Sequence, residues 1–245
     1  MPPKQIVPGF YELRVGIANV FLLESPGGLV LFDTGVPGSQ DAILQAIHTL
    51  GKTPQDLKHI VITHAHPDHI GSLAALQRLT PARTYIHPVD AGVAQRGGDF
   101  DPRHDTRPFN PAPGLLVGML FRMFLRPYRG LEPARIDVEL RGGERLPFAD
   151  DIEVIFAPGH SMGELAFLWK QHGGVLIAGD TCANLPVLDW SLGYENLEVG
   201  KRSLKELRLK ELCHYQFEAA VFGHGGAITR GASDRWRKRW GTLPG

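Results

Sequence analysis

A sheet-on-sheet α+β sandwich with helices on its outer faces is the fold class this sequence predicts. Each half of the 245-residue chain is a series of short apolar runs bounded by glycine and proline turn signals. Each half then closes in stretches with helical spacing. Hydrophobic residues make up 43% and charged residues 21%, the composition of a globular chain that builds its own core rather than of a disordered one. The two cysteines, Cys182 and Cys213, are too few for a disulfide framework, so that core has to hold the fold. No segment reads as a linker, and residues 1–245 are expected to form one domain.

In chain order, Val15 to Leu23 reads as a strand whose one polar break is Asn19. Leu29 to Phe32, between Pro26-Gly27-Gly28 and Asp33-Thr34-Gly35, suits a buried strand. Ser39 to Leu50 has Ile43, Leu44, Ile47 and Leu50 at helical spacing, with Ser39 placed as an N-cap and Gly51 as the stop. His59 to Thr63 is a second buried strand, Gly71 to Leu79 a helix, and Thr84 to His87 a strand. Residues 95–135 break the rhythm with six prolines and a segment, Gly114 to Arg126, that is apolar nearly all round. This insertion is expected to cover a pocket, form a homodimer contact or pack as core, and Phe121, Met123 and Phe124 are its candidate pocket residues. The second half returns to strands at Arg135 to Leu140, Ile152 to Ala157, Leu165 to Trp169, Val175 to Ala178 and Ala219 to Phe222. Helices are expected over Val199 to Leu212 and Asp234 to Trp240.

Lys and Arg number 26, Asp and Glu also 26, so the formal charge is zero. That balance gives no electrostatic basis for binding nucleic acid, and a small-molecule substrate is the expected partner. The proline-rich start lacks the apolar stretch of a secretion signal. The longest apolar run is far shorter than the ~20 residues of a membrane span. A cytoplasmic protein without stable membrane insertion is therefore expected.

The 11 histidines are the unusual feature. Three of them fall in Thr63-His64-Ala65-His66-Pro67-Asp68-His69, directly after one predicted strand and before a helix. Imidazole and carboxylate at this density are the natural donors for zinc-like divalent ions. Four other predicted strands also end in polar residues beside glycine: Asp33-Thr34-Gly35, Gly159-His160-Ser161, Gly179-Asp180-Thr181 and Gly223-His224-Gly225. Five strand ends delivering His or Asp make a convergent rim, whereas His87, followed by Pro88, reads as structural on its own.

This ordered set, from Asp33 to His224, resembles the metallo-β-lactamase fold superfamily. The resemblance implies a four-layer αββα sandwich with a dinuclear metal site. It implies that His64, His66 and His160 hold one divalent ion, that Asp68, His69 and His224 hold the other, and that Asp180 bridges them. Asp33 matches a supporting acid behind the motif loop. The implied cofactors are two divalent ions, Zn first, with Fe or Mn as substitutes. The implied chemistry is attack of a metal-bridging hydroxide on a carbonyl, with Asp68 as the catalytic residue that orients the nucleophile or passes a proton to the leaving group.

Departures from the pattern narrow the branch. Asp180 stands where true β-lactamases usually carry Cys or Ser. His66 stands where flavodiiron proteins carry Glu. The chain ends 21 residues after His224, without the glutathione-gripping domain of glyoxalase II proper. Ala183 stands where quorum-quenching lactonases often carry Tyr. What remains is a glyoxalase II-like or lactonase-like hydrolase of a small thioester, ester or lactone. The alternatives are a mononuclear iron persulfide dioxygenase-like enzyme, held by His64, His160 and Asp180, and a phosphodiesterase of the same fold.

Overall fold

The computed structural model describes residues 2–100, 110–111, 128–203 and 216–241. The strands are β1 (Lys4–Val7), β2 (Phe10–Val15), β3 (Ala18–Ser25), β4 (Gly28–Phe32), β5 (Leu57–Val61), β6 (Arg83–Ile86), β7 (Gly98–Phe100), β8 (Asn110–Pro111), β9 (Tyr128–Leu131), β10 (Val138–Glu139), β11 (Arg145–Leu146), β12 (Ala149–Phe156), β13 (Leu165–Trp169), β14 (Val175–Ile177), β15 (Ala183–Asn184), β16 (Leu188–Asp189), β17 (Gly193–Tyr194) and β18 (Ala219–Val221). The helices are α1 (Gln40–Thr49), α2 (Pro67–Ile70), α3 (Leu73–Leu79), α4 (Pro88–Arg96), α5 (Leu197–Arg202) and α6 (Ala232–Trp236), the last continuing as a π turn over Arg237–Gly241.

Two sheets form the centre. One runs β1-β2-β3-β4-β5-β6-β10, the other β11-β12-β13-β14-β18. The period-2 alternation of side chains divides each strand between two apolar layers. In β3, Val20 and Leu22 face α1 and α3 in a cluster with Ile43, Ile47 and Leu76, while Phe21 and Leu23 face the other way. There they meet Ile152, Val154, Phe167 and Val175 of the second sheet. The opposite residues of that sheet, Leu168, Leu176 and Ala220, pack against Trp236 and Trp240 of the terminal helix. Three apolar layers between helix, sheet, sheet and helix make the four-layer αββα sandwich.

Several boundaries differ from the sequence expectation. Val15 to Leu23 is not one strand: the chain reverses at Gly16-Ile17, with Gly16 at φ +64°, and Asn19 lies inside β3. Asn19 is no break, because its Nδ2 donates to the carbonyls of Phe222 and Gly225 at 3.0 and 2.8 Å. Ser39 occupies the N-cap position of α1 without a side-chain cap bond. Arg135 to Leu140 contributes only the two-residue β10. The segment Gly114 to Arg126, with Phe121, Met123 and Phe124, and the end of the Val199 to Leu212 helix lie outside the described residues. The described parts of the 95–135 insertion pair once with each other and once with a strand outside it. β7 pairs with β9, and β8 pairs with β17.

Two further histidines have packing roles. His87 stacks on Phe156 with ring centroids 4.5 Å apart, and its Nδ1 accepts the Val89 N–H at the start of α4. The His59 ring stacks on Phe148 at 3.6 Å and its Nδ1 lies 3.0 Å from the Tyr85 hydroxyl. Burial, with Arg83 and Lys58 nearby, pushes the His59 imidazole down to about 4. A depressed base stays neutral in the fold but takes up a proton in the unfolded chain below ~6.5, so its contribution is present above that pH and lost on acidification toward 4. Urea unfolding of a His59→Gln variant should therefore lose stability less steeply than the parent between about pH 6.5 and 4; an unchanged slope refutes this assignment.

Candidate metal centre

The Thr63–His69 loop leaves β5 and enters α2, with His66 at the N-cap and Pro67 at the first helical position, where proline's fixed φ suits the turn. Asp33 anchors this loop from the end of β4. Its Oδ1 accepts the Thr63 N–H at 2.8 Å, and its Oδ2 accepts the Thr63 hydroxyl at 2.8 Å and the His69 Nδ1 at 2.9 Å. Asp33 is 1% exposed and sits at φ +60°, a left-handed conformation that Asp tolerates better than most residues.

The seven candidate donors meet at one edge of the sandwich. Ligand atoms of His64, His66 and His160 lie within 4.8 Å of one another, as do those of His64, His69 and Asp180, and those of Asp68, His69 and His224. Asp180 connects the groups: its Oδ2 is 3.4 Å from His160 Nε2 and 3.1 Å from His224 Nε2, and its Oδ1 is 3.7 Å from His69 Nε2. Asp68 Oδ2 is 3.2 Å from His224 Nε2. Gly223 makes this approach feasible, since a Cβ there would stand 2.1 Å from Asp180 Oδ1.

The imidazoles are held from behind. His160 Nδ1 donates to the Gly193 carbonyl at 2.8 Å, and His224 Nδ1 to the Ile17 carbonyl at 2.9 Å. His69 Nδ1 faces Asp33. His64 Nδ1 is 3.0 Å from Thr63 Oγ1, whose own proton is committed to Asp33, so the hydroxyl accepts and the imidazole donates. In all four rings Nδ1 faces an outer partner and Nε2 turns inward, the orientation that outer partners impose on metal-binding histidines. Inside, His64 Nε2, His69 Nε2 and Asp180 Oδ1 are buried with no hydrogen-bond partner. Unpartnered buried nitrogen and oxygen of this kind is costly in a fold unless a cation completes it. The residues present fit a pair of divalent ions bound through nitrogen and oxygen.

The electrostatics divide the rings into two held neutral and two held charged by the carboxylates. Burial drives His160 down to about 3 and His64 well below its ordinary range, which keeps both neutral. Burial opposes ionisation of Asp68 and Asp180, yet His69 beside the first and His224 beside the second hold both carboxyls well below the usual range. His69 is raised to about 9 against its burial by Asp180, Asp33 and Asp68, and His224 is raised well above its ordinary value against burial by Asp180.

Three buried acids that sequence reasoning passed over support the rim. Asp90, on α4, accepts the Ala65 N–H at 2.8 Å and the Ser161 hydroxyl at 2.7 Å, joining the loops of His66 and His160. Glu195 Oε2 accepts the Met162 N–H, and its Oε1 lies 3.6 Å from His66 Nε2. Glu164 lies between His64 and Asp180. None stands in a recognisable motif; each acts on a loop distant from it in sequence. Cys182 is fully buried and its thiol is pushed up by burial, the behaviour of a small core residue.

The donors open into a cavity of about 760 Å³. Its other walls are mainly apolar, with Ile17, Phe100, Leu185, Pro186 and Leu192, and Tyr128 from β9 faces Asp68 across it. Arg14 is the one Lys or Arg side chain among the described lining residues.

A family model described as the metallo-beta-lactamase superfamily matches residues 13–224. The chain belongs to the metallo-beta-lactamase superfamily. Among curated proteins it is 36% identical to the uncharacterized protein YobT of Bacillus subtilis over 66% of this chain and 60% of that protein. It is 32% identical to the Probable metallo-hydrolase YflN of the same organism over 70% of this chain and 63% of that protein. The chain thus spans less than two thirds of the length of these two relatives. A metallo-beta-lactamase family protein from Thermus thermophilus superposes with a TM-score of 0.66 at 27% identity, covering 96% of this chain and 79% of that one. The clusters that could hold metal ions thus lie on a scaffold of this superfamily. Among the described residues no helix is long and apolar enough to cross a membrane.

Proposed function

We propose that this chain is a dinuclear metal-dependent hydrolase of the glyoxalase II-like or lactonase-like branch, acting on a small thioester, ester or lactone. The observation that carries the reading is the position of Asp180, whose carboxylate reaches His160 on one side and His69 and His224 on the other. One carboxylate shared by two donor groups is what a bridged ion pair requires. His64, His66 and His160 would hold one ion, Asp68, His69 and His224 the second, and Asp180 both. A nitrogen and oxygen set without thiolate suits zinc, and also iron or manganese. When bound, such ions supply Lewis acidity and water activated near neutral pH.

The protein's own residues supply the rest. Asp33, Asp90 and the carbonyls of Gly193 and Ile17 fix the donors before substrate arrives. Asp68 lines the cavity 3.2 Å from His224, which supports a role for its carboxylate in orienting the attacking water or passing a proton to the leaving group. The apolar walls exclude water and receive the acyl part. One basic side chain among the described lining residues is a poor match to a phosphodiester and a good one to an uncharged carbonyl. The insertion, through Phe100 and Tyr128, borders the cavity and is assigned the selection of substrate. Residues 1–245 act as one unit in this reading.

The test is a substrate panel of thioesters, esters, lactones, phosphodiesters and β-lactams with zinc, manganese or iron loaded. Turnover of a carbonyl substrate, lost with chelator and restored by metal, is expected. Activity confined to phosphodiesters, or oxygen consumption with one iron per chain, overturns the proposal.

A further inference from the structure

Two strands of the insertion form a small ribbon beside the donors. In it β7 and β9 run antiparallel, with Phe100 directly opposite Tyr128. Residues opposite one another in such a pair send their side chains to the same face. Phe100 fixes which face that is, because it is 8% exposed and its ring lies 5.8 Å from the His66 ring. The neighbouring residues point the other way: Asp99 and Arg129 form an exposed ion pair at 3.4 Å on the outside. Tyr128 therefore faces inward beside Phe100, where it lines the cavity with His66 and Asp68. Burial, and after it the Asp68 carboxylate, raise its phenol, so Asp68 is a charged group near enough to act on it.

Phenylalanine would fill this space as well. The Tyr128 hydroxyl instead enters a mainly apolar cavity, and it has no hydrogen-bond partner among the described residues. The amides on the same walls are committed elsewhere: Asn19 Nδ2 donates to the Phe222 and Gly225 carbonyls, and Asn184 Nδ2 to the Gly226 carbonyl. A phenol keeps its proton at neutral pH, so what this hydroxyl offers the cavity is a donor. Hydrolysis at a carbonyl is helped by a donor placed where the oxygen gains negative charge.

We propose that Tyr128 is a catalytic residue whose hydroxyl donates a hydrogen bond to the substrate's carbonyl oxygen as charge develops on it. The proton stays on the phenol, and no bond to the protein forms or breaks. The inference rests on the hydrolase reading above and goes beyond it: β9 gives the insertion a part in the chemical step as well as in the choice of substrate.

The experiment compares the zinc-loaded parent with Tyr128→Phe on the best carbonyl substrate of the panel. Phenylalanine keeps the ring and removes only an unpartnered hydroxyl, so metal content and melting temperature should match the parent. The kcat is expected to fall about 100-fold, the lower end of the ~10²–10³ range for one lost oxyanion donor, with KM little changed. Calorimetric binding of a trifluoromethyl ketone analogue of that substrate, whose hydrate carries the tetrahedral oxygen, should weaken by a similar factor. A kcat within about threefold of the parent, a change confined to KM, or unaltered analogue binding overturns the proposal. So does a fall in kcat accompanied by loss of metal, since Tyr128 would then hold the ions in place rather than meet the substrate. A parent chain that turns over no carbonyl substrate removes the hydrolase reading instead, which separates the two claims.

Discussion

Asp180→Ala protein should lose metal and hydrolysis together. The carboxylate contacts His160, His69 and His224, so its removal takes a donor from each of the two ion positions at once. Loss of an outer partner costs ~10–100-fold in metal affinity or activity, and loss of a shared donor should exceed the upper end of that range. His66→Ala and Asp68→Ala should behave similarly, each through one group. Metal content after gel filtration and the rate with the best panel substrate read the effect. Full metal content in all three variants would mean that the donors have been misassigned.

Asp33→Ala should have the largest effect on folding. The side chain is buried and receives three protein donors: the Thr63 N–H, the Thr63 hydroxyl and His69 Nδ1. Alanine leaves those donors buried without acceptors, and breaking a buried charged network by removing one partner costs roughly 3–5 kcal/mol. For a chain of this size each kcal/mol lowers the melting temperature by about 2–4 °C, so a fall of roughly 6–20 °C is expected. Asn at this position keeps the left-handed backbone and one acceptor, and should fall between the two. Thermal melts of the metal-free proteins decide it, and an Asp33→Ala melt within 2 °C of the parent, well short of ~6 °C, would contradict the anchoring role.

What was legible in the sequence follows from how local each signal is. The His64–His69 cluster and the glycine-flanked Asp33, His160, Asp180 and His224 were visible because each lies at the end of a short apolar run, and strand ends converge in a sandwich of this kind. The sorting of side chains between layers was not legible: Phe21 and Leu22, like Val154 and Ile155, are equally apolar, and only the strand geometry sends them to different layers. The β2–β3 turn was missed because Val15 to Leu23 is apolar almost throughout and Gly16 alone marks the reversal. Asn19 looked like a break because its partners, Phe222 and Gly225, lie about 200 residues away in sequence. Asp90, Glu164 and Glu195 were hidden likewise: each is a lone acid whose role exists only after α4, β13 and β17 bring it against a loop from elsewhere.

The central claim is that Asp180 joins two ion positions into one centre. Metal quantification on the purified parent chain, by mass spectrometry after exchange into metal-free buffer, tests it most directly. The account predicts two divalent ions per chain, falling together in Asp180→Ala. One ion per chain in the parent, unaffected by loss of His69 or His224, would contradict it.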